Sequence, residues 1–570
     1  MSCYTVFSRL ADYTDLRWSK KHQIVANDRS IMTAAILLAA LLLAGMPLHA
    51  QETEEKIDFA QLEAEKAVIG EIVLDKQDVF DLSNPKENNW IYRLANKWHI
   101  VTKDDVITKQ MLLAPGDEYS KRLADESERI LRRNTYFYDV SIKPINHTDG
   151  RVDLLVTTKD VWTLNPGFSI SRKGGENKTV IDIEDLNLFG RGQLIRFART
   201  DDVDRISKSV EFQDKQLGNS WVSTKLLYAD NSDGEVSYLS LVRPFFALDT
   251  RWTAGVVASD VDQRGVLYDL GEKAAEFQQE REYFTAWGGW SAGLQDGWVR
   301  RYTAGVVFDE SRFSNVVDAT LPAAIPADRK LVYPFFGIEF LQDSFEETIN
   351  RDQIQRTEDL LTGIRLSASV GWSDESFGAD RDAILYRASA SRLFGVLDQT
   401  ALAILVNTSG RIESGAAENS LFSVRARFSH RFSEKSSFFT MLSTTYGHKL
   451  DLEAPVELGG DTGLRGYPLR YQSGDSKLLL SIEQRYFWDW YPLRLFRVGG
   501  AIFADVGRTW GDHPLGGEDL GWLKDIGFGL RFAPTRTGSR KIIHLDIAFP
   551  LDGDASIDDV QIVLESKKTF

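Results

Sequence analysis

The sequence predicts a mainly β protein, an antiparallel transmembrane β-barrel of about sixteen strands preceded by one small α+β domain. Three features of the sequence carry this prediction. An apolar run near the N-terminus has the length of an export signal, residues 68–160 mix helix and strand patterns, and residues 161–570 keep strand patterns to the end. Strands that alternate apolar and polar side chains have one oily and one polar face, as a barrel wall in lipid requires.

The composition of the 570-residue chain limits the classes of function. The formal net charge is −16, and the sequence contains no basic stripe of the kind that binds nucleic acid. The mean hydropathy of −0.26 is that of a soluble protein, but alternating strands keep this average low in transmembrane barrels too. The one cysteine, Cys3, lies upstream of the predicted export signal, so we expect the mature chain to lack disulfides and thiolate metal sites.

The N-terminal apolar run predicts a cleaved signal peptide. Residues 34–45 (AAILLAALLLAG) are too few for a comfortable membrane span, and an acidic segment follows Ala50. We therefore interpret residues 1–50 as a signal peptide with a long N-terminal region, cut after Ala50. A buried helix or an N-terminal anchor is the alternative. No later segment has the pattern of a transmembrane helix, so membrane residence would depend on strands.

A charged leader at 51–67 precedes the predicted α+β domain, at residues 68–160. The hydrophobic patterns predict the order strand, helix, helix, strand, strand. The elements are a strand at 68–79, a helix that begins with an N-cap and acidic first turn at 102–105 and runs to about 113, a helix at 120–134, and strands at 137–146 and 151–158. An aromatic-rich insertion at 80–101 interrupts the domain. The helix at 120–134 has one apolar or small-residue face: Leu123, Ser127, Ile130 and Leu131.

From residue 161 onward the chain shows strands of roughly ten residues with Gly-, Asp-, Asn- and Ser-rich connections. A soluble β-sandwich has the same alternation of apolar and polar residues. The signal peptide, the aromatic turn at 486–492 and the C-terminal Phe570 favour instead a barrel whose outer face contacts lipid. At ~25 residues for each strand and connection, residues 163–570 accommodate about sixteen strands. Counting back from the C-terminus predicts periplasmic turns at 489–492 and 534–540, and external loops at 451–475, 511–522 and 550–557.

Several segments resemble a known family. Residues 464–468 (LRGYP), preceded by 458–460 (LGG), resemble the signature loop of the BamA/TamA superfamily of outer-membrane assembly and translocation barrels, the bacterial surface antigen family. Residues 503–507 (FADVG) resemble its barrel-wall motif, residues 186–192 (LNLFGRG) resemble its first barrel hairpin, and the small domain resembles a single POTRA domain. The resemblance covers nearly all of residues 68–570. It implies a barrel in the bacterial outer membrane with the POTRA-like domain in the periplasm.

The strand alternation also predicts a contact inside the barrel. Because Ile502 and its apolar neighbours belong to the lipid face, Asp505 should point into the lumen, and Glu483 should do so on the preceding strand. We hypothesise that Arg465 folds inward to reach these carboxylates and stacks on Phe503, since a guanidinium can fork onto a carboxylate and cover a ring. The alternative is a solvated surface arginine. The predicted loop–wall contact comprises Arg465, Gly466, Tyr467, Glu483, Phe503 and Asp505.

The resemblance implies a mechanism in which the first and last strands meet at a weak seam. Opening it would let a substrate strand add to the exposed edge through backbone hydrogen bonds. The seam strands would be 163–173, loosened by Gly167, and 558–570, which ends at Phe570. Two features depart from the family pattern: Lys567 and Lys568 replace small or apolar residues, and only one POTRA-like domain is present. They favour an auxiliary or specialised family member.

The function predicted is to assist insertion or translocation of outer-membrane or secreted proteins. Its partners would be outer-membrane lipid, unfolded substrate proteins and a periplasmic chaperone or accessory protein. The alternative is a non-translocating pore, an adhesin or an envelope-lipid homeostasis factor on the same scaffold. Residues 289–293 (GWSAG) match the G-x-S-x-G pattern of hydrolases, but no helix pattern follows to form the required turn. The eight histidines lack metal-ligand spacing, so the sequence predicts no enzyme, metal or cofactor.

Overall fold

The computed structural model describes residues 59–517, 519–538, 541–553 and 557–567. The predicted signal peptide and the C-terminal Phe570 lie outside the described residues. The chain forms a three-stranded α+β domain followed by a closed antiparallel barrel, which confirms the predicted fold class. None of the described helices is both long and apolar enough to cross a membrane.

The small domain packs helices against one three-stranded sheet. Its described elements are α1 (Phe59–Ala64), β1 (Val68–Gln77), α2 (Trp90–Trp98), α3 (Asp104–Thr108), α4 (Lys121–Arg132), β2 (Phe137–Thr148) and β3 (Arg151–Asp160). Strand β3 lies in the middle of the sheet, parallel to β1 and antiparallel to β2. The predicted face of α4 is the buried one, because Ser127, Ile130 and Leu131 are buried and Leu131 belongs to the domain core.

Helix α3 is shorter than the sequence predicts, and Thr102 is not its N-cap. Lys103 occupies the cap position, and the helix ends at Thr108. The Thr102 hydroxyl instead donates a hydrogen bond to Asp160 Oδ2 at 3.0 Å, which ties the helix start to the end of β3. After the helix, Leu113 turns into the hydrophobic core, so burial of this apolar residue replaces further helical turns.

The barrel contains twenty strands. They are β4 (Leu164–Lys173), β5 (Glu176–Asp185), β6 (Leu194–Asp201), β7 (Ile206–Asp214), β8 (Ser223–Asn231), β9 (Gly234–Arg243), β10 (Trp252–Asp269), β11 (Glu272–Gln295), β12 (Trp298–Ser314), β13 (Arg329–Gln342), β16 (Arg365–Ser373), β17 (Ala383–Gly395), β18 (Thr400–Glu413), β19 (Ala416–Ser433), β20 (Ser436–His448), β23 (Ser476–Phe487), β24 (Phe496–Trp510), β25 (Leu523–Pro534), β26 (Ile542–Pro550) and β27 (Gln561–Lys567). Two connections carry hairpins of their own, β14 (Phe345–Thr348) with β15 (Glu358–Leu361) and β21 (Val456–Leu458) with β22 (Gln472–Gly474).

The prediction of about sixteen strands was wrong. It assumed ~25 residues for each strand with its connection, an allowance drawn from the usual strand lengths of such barrels. Here β6 has eight residues and β27 seven, and several hairpins turn within two residues, as at Gly174 and Gly175 between β4 and β5. Because each strand with its connection is shorter than assumed, the same length of chain forms four more strands. The number of strands remains even, so β4 and β27 meet antiparallel.

Side chains of the barrel strands alternate between the lumen and the outer surface, as predicted. On β24, Phe503 and Asp505 are buried whereas Ile502 is exposed. On β25, Ile526 and Phe528 are exposed on the outer surface. A barrel wall of this kind presents apolar side chains to lipid and keeps polar groups inside.

Two long connections fold into the ends of the barrel. The lumen loop, residues 449–475, joins β20 to β23 at the end far from the small domain. The mouth hairpin, residues 343–364, joins β13 to β16 at the end that carries the small domain. Because both contain short strand pairs, their backbone polar groups are partly satisfied within the connection itself.

Candidate functional site in the barrel lumen

The lumen loop is shaped locally by a hairpin and a tight turn. Strands β21 and β22 pair at its neck. The carbonyl of Gly459 then accepts hydrogen bonds from the N–H groups of Gly463 and Leu464 at 3.1 and 3.0 Å, which reverses the chain. Leu464 and Tyr467 are wholly buried in a cluster with Leu479 of the barrel wall. Burial of these apolar side chains holds the tip of the loop inside the barrel.

Arg465 lies at this tip and contacts the wall residues predicted from the sequence. Its Nε and Nη2 donate to the two carboxylate oxygens of Asp505 at 2.7 and 3.0 Å. Its Nη1 donates to Glu483 Oε2 at 2.9 Å, and its guanidinium carbon lies 3.4 Å from the centre of the Phe503 ring. Only 4% of Arg465 is exposed. The side chain therefore makes a two-pronged ion pair, a second ion pair and a ring contact at once.

Gly466 brings the loop backbone against a neighbouring strand. Its N–H donates to Asp525 Oδ2 at 3.0 Å. A Cβ at this position would come within 2.7 Å of the Asp525 Cβ, so any other residue would push the loop away from the wall. Asp525 is the cross-strand partner of Asp505, and two such carboxylates repel each other. The Arg465 fork and the Gly466 N–H supply the donors that offset this repulsion.

Tyr467 anchors the other side of the tip. Its hydroxyl lies 2.7 Å from the carbonyl oxygen of Lys524 and 3.1 Å from that of Asp552. It also accepts a hydrogen bond from the Lys524 N–H at 3.0 Å. The ring is fully buried, and a buried tyrosine with a bonded hydroxyl combines apolar area with a directional contact. All six residues of the predicted contact thus lie in one buried region.

Four residues outside the predicted contact complete this region: Arg485, Asp525, Arg531 and Asp546. Glu483 accepts from three guanidinium groups, those of Arg465, of Arg485 at 2.6 Å and of Arg531 at 3.2 Å. Arg531 also pairs with Asp546. Their alternation on β23, β25 and β26 could have assigned them to the lumen face, but not to one cluster.

The cluster is a buried network of charges, not a set of surface ion pairs. Glu483, Asp505 and Asp546 are fully buried, and only 2% of the Arg531 surface is exposed. Removing charged groups from water is costly, so such a network is stable only while every charge keeps its partners. Loss of a single member leaves its neighbours buried and uncompensated.

The outer part of the lumen loop crosses to the opposite side of the barrel. Arg470 forks onto Asp204 in the turn between β6 and β7, with distances of 2.9 and 2.7 Å. It also lies over the ring of Tyr268 at 4.3 Å. The backbone at Pro468 packs against Gly174 in the turn between β4 and β5, so closely that a Cβ at Gly174 would lie 2.9 Å from the Pro468 Cα. The loop therefore contacts the hairpin that contains the first barrel strand.

A carboxyl group in this outer part should make the loop sensitive to pH. Burial, reinforced by Asp461, raises the pKa of Glu457 to about 7 despite the opposing effect of Arg470. The pKa of Glu457 in the folded protein lies above its ordinary value, so the protonated carboxyl favours the folded loop. This stabilisation is fully present below about pH 4.5 and is lost as the pH rises through 7. We expect protease cleavage within 449–475 to increase between about pH 5.5 and 8.5.

Glu457→Gln is the control for this expectation, because an amide carries no titrating proton. Cleavage of the lumen loop in this variant should change little over the same pH range, while cleavage within residues 511–522 reports any general effect of pH on the protease. A wild-type loop whose cleavage does not change with pH would contradict the assignment.

The seam residues lie partly within the described chain. Gly167 is on the lumen face of β4, where its register partner Asp182 leans over it and is held by Arg196 at 2.6 Å. A larger side chain at position 167 would collide with the Asp182 carboxylate, which accounts for the glycine. Loosening of the seam is not needed to explain it. Phe570 and Lys568 lie outside the described residues. Lys567 faces Glu565 of its own strand at 2.5 Å.

The mouth hairpin joins the small domain to the barrel lumen. Arg427 of β19 forks onto Asp352 at 2.9 and 2.5 Å. From the small domain, Arg132 of α4 donates to Asp359 Oδ1 at 2.6 Å. In the other direction, Arg356 of the hairpin donates to the carbonyl oxygen of Phe137 in β2 at 2.7 Å. The hairpin is thus attached at once to the lumen wall and to the domain.

The hydrolase-like motif lies in a strand. Ser291 is fully buried in β11, and its hydroxyl accepts a hydrogen bond from the Gly293 N–H at 3.0 Å. Strand β12 follows, whereas a nucleophile elbow needs a helix at that point. Across residues 59–517 and the three later described segments, no group of three His, Asp or Glu side chains is arranged to hold a metal ion.

Comparison with known proteins matches the small domain to a named family. The family model described as POTRA, surface antigen variable number repeat, matches residues 99–159. A candidate outer membrane protein assembly factor of Treponema pallidum (strain Nichols) is 30% identical over 118 residues, which are 19% of this chain and 14% of that protein. The aligned part is therefore a small fraction of that relative's length.

Two solved structures are similar over most of the chain. BamA from Haemophilus ducreyi lacking POTRA domains 1–3 has 12% identity and a TM-score of 0.35, with 86% of this chain and 84% of that chain covered. CdiB from Acinetobacter baumannii has 12% identity and a TM-score of 0.41, with 94% and 96% covered.

The POTRA match and the closed barrel together define the architecture and its location. The barrel lies in the outer membrane, and its N-terminal domain lies on the periplasmic side. The mouth hairpin is accordingly at the periplasmic end and the lumen loop at the external end. Residues 99–159 thus belong to a POTRA domain of the surface antigen repeat family, and in the described chain this domain precedes a closed antiparallel barrel of twenty strands.

Proposed function

We propose that this protein assists the insertion or translocation of other outer-membrane or secreted proteins, by opening the barrel between β4 and β27. The substrate would be an unfolded chain that forms β-strands in the membrane. The observation that carries the proposal is the small extent of pairing between β4 and the described last strand, Gln561–Lys567.

In the described chain, β27 and β4 share one register pair, Leu564 with Arg172. By contrast, β4 shares ten register pairs with β5 on its other side. A side-chain ion pair, Lys173 Nζ to Glu565 Oε2 at 2.6 Å, also bridges the two strands. Few backbone hydrogen bonds hold such a junction closed, and an opened edge offers unpaired N–H and C=O groups to an incoming strand.

The lumen loop supports the same proposal because it connects the buried charge cluster to the seam. Its tip is held by Asp505 on β24, and its outer part packs on the Gly174 turn at the end of β4. Movement of the first strand would therefore be resisted by the loop, and release of the loop would free that strand. The six-residue contact is thus proposed to set how readily the seam opens.

A non-translocating pore is the competing function, and the two long connections disfavour it. The lumen loop crosses the external end between β24 and Gly174, while the mouth hairpin reaches Arg427 of the wall at the periplasmic end. Both ends of the lumen therefore contain ordered backbone. An open channel would require both connections to move aside.

Reconstitution of the mature protein in phospholipid vesicles tests the proposal. A urea-unfolded outer-membrane barrel protein is added, and its folding is followed by the heat-dependent shift in gel mobility. We expect folding to be faster than in vesicles that contain an inert barrel of similar size. Outer-membrane proteomics after depletion would then identify the natural substrates by their selective loss.

Conductance across planar bilayers separates the two functions. The assembly function predicts little conductance by the wild-type protein. Asp352→Ala combined with Arg465→Ala, which removes wall contacts of both connections, provides an opened comparison. Stable wild-type conductance together with no acceleration of substrate folding would contradict the proposal and favour the pore.

A further inference from the structure

Helix α2 belongs to the insertion at residues 80–101 and packs through its more polar side on Phe80, at the start of that insertion. Its start is capped by the Asn89 side chain, which accepts from the N–H groups of Ile91 and Tyr92. The Tyr92 ring stacks on Phe80 with centroids 4.2 Å apart. Asn96 exchanges hydrogen bonds of 3.1 and 2.8 Å with the backbone of the same phenylalanine. The helix is therefore folded and firmly held.

The other side of α2 is apolar and exposed. At 3.6 residues per turn, Trp90, Ile91, Leu94 and Trp98 fall within about 100° of the helix circumference. Trp90 is 72% exposed and Trp98 is 71% exposed. A helix in water normally buries its apolar side and shows its polar one, so this orientation is reversed. Contiguous exposed apolar surface of this kind marks a contact with a partner or a membrane.

The position of α2 identifies the membrane as that partner. The Tyr92 hydroxyl donates to the carbonyl oxygen of Leu493, in the periplasmic turn between β23 and β24, at 2.6 Å. The start of the insertion is fixed to the next turn, since Arg536 donates to the carbonyl oxygen of Val79 at 2.6 Å. Trp490 and Leu493 are themselves exposed at this end of the barrel. Exposed aromatic residues at the end of a lipid-facing band mark the membrane–water border.

The charges beside the apolar side fit the same surroundings. Arg93 and Lys97 follow one border of the apolar side, at 3.6 residues per turn. Helices that lie in a membrane interface combine an apolar side with tryptophan and with Lys or Arg at its border, where the cations meet lipid phosphate. Helix α2 thus lies beside a barrel turn that also exposes apolar side chains, those of Trp490 and Leu493.

We propose that α2 is an interfacial helix whose apolar side rests among the headgroups and upper acyl chains of the phospholipids in the periplasmic leaflet. This contact holds the POTRA domain close to the membrane plane. It is independent of the proposed assembly function, because it requires only that the barrel reside in a bilayer.

Fluorescence of the full mature protein in vesicles tests this contact. Leu94→Cys is labelled with an environment-sensitive NBD probe, which is specific because the predicted mature chain contains no cysteine. In vesicles of phosphatidylethanolamine and phosphatidylglycerol, we expect blue-shifted emission and a loss of roughly half its intensity with lipids that carry a spin label near the headgroup. Lys121→Cys, on the exposed start of α4, is the matched control and should remain in water.

A second variant removes the apolar side and keeps the fold. Trp90→Ser combined with Trp98→Ser should abolish quenching of the probe at position 94, while the heat-dependent gel shift of the barrel stays unchanged. The proposal would be overturned if the probe at position 94 emitted at the same wavelength as the probe at position 121 and were quenched no more strongly. Burial of the probe only after an unfolded substrate protein is added would also overturn it, in favour of a protein-docking surface.

Discussion

Arg465→Ala is expected to lower the free energy of unfolding of the barrel by about 3–5 kcal/mol, the usual cost of breaking a buried ion pair from one side. The substitution leaves Asp505 buried without its two donors and opposite Asp525, with which it would share a repulsive cross-strand contact. It also removes one of the three guanidinium groups around Glu483. The measurement is the urea concentration at which the heat-dependent gel shift disappears.

Arg508→Ala is the matched control for this prediction. Arg508 lies on the same wall strand as Asp505, but it pairs with Asp519 near the external surface, where the pair is exposed. Exposed ion pairs contribute little, so the urea midpoint of this variant should match that of the wild type. Asp505→Asn added to Arg465→Ala should restore part of the loss, because it removes the uncompensated charge. A wild-type midpoint for Arg465→Ala would contradict the proposed role of the cluster.

Locking the seam is expected to reduce substrate assembly by at least about tenfold, since strand addition needs an open edge. Arg172→Cys with Leu564→Cys places two cysteines at the one described register pair between β4 and β27. Register partners in an antiparallel pair lie within the distance that a disulfide spans. Addition of a reductant should restore the rate of substrate folding in vesicles to that of the wild type.

A disulfide elsewhere in the wall separates locking of the seam from general stiffening. Leu530→Cys with Leu545→Cys joins register partners on β25 and β26, within the continuous part of the wall. This protein should assemble substrate equally well when oxidised and when reduced. If the oxidised seam variant were as active as its reduced form, with the disulfide verified by mass, the seam mechanism would be wrong.

The loop–wall contact could be predicted because its members follow from local patterns. Alternation along a strand assigns Asp505 and Glu483 to the lumen from their immediate neighbours alone. Arg465 stands in a loop long enough to fold back, and its residue type suits a buried carboxylate. By contrast, Arg531 and Asp546 belong to the same cluster only because strands β23 to β26 lie side by side in the closed wall. Proximity across strands is not encoded in any single segment.

The sequence by itself determined the class of architecture, namely an α+β domain and then an antiparallel barrel with a defined lumen face, because hydrophobic periodicity is a local property. Only the tertiary structure decided the number of strands, which depends on how briefly each hairpin turns, and the extent of pairing between β4 and β27. It also decided which side of α2 is free. The pattern of an amphipathic helix does not say which side packs, and here Tyr92 and Asn96 pack while Trp90 and Trp98 remain outside.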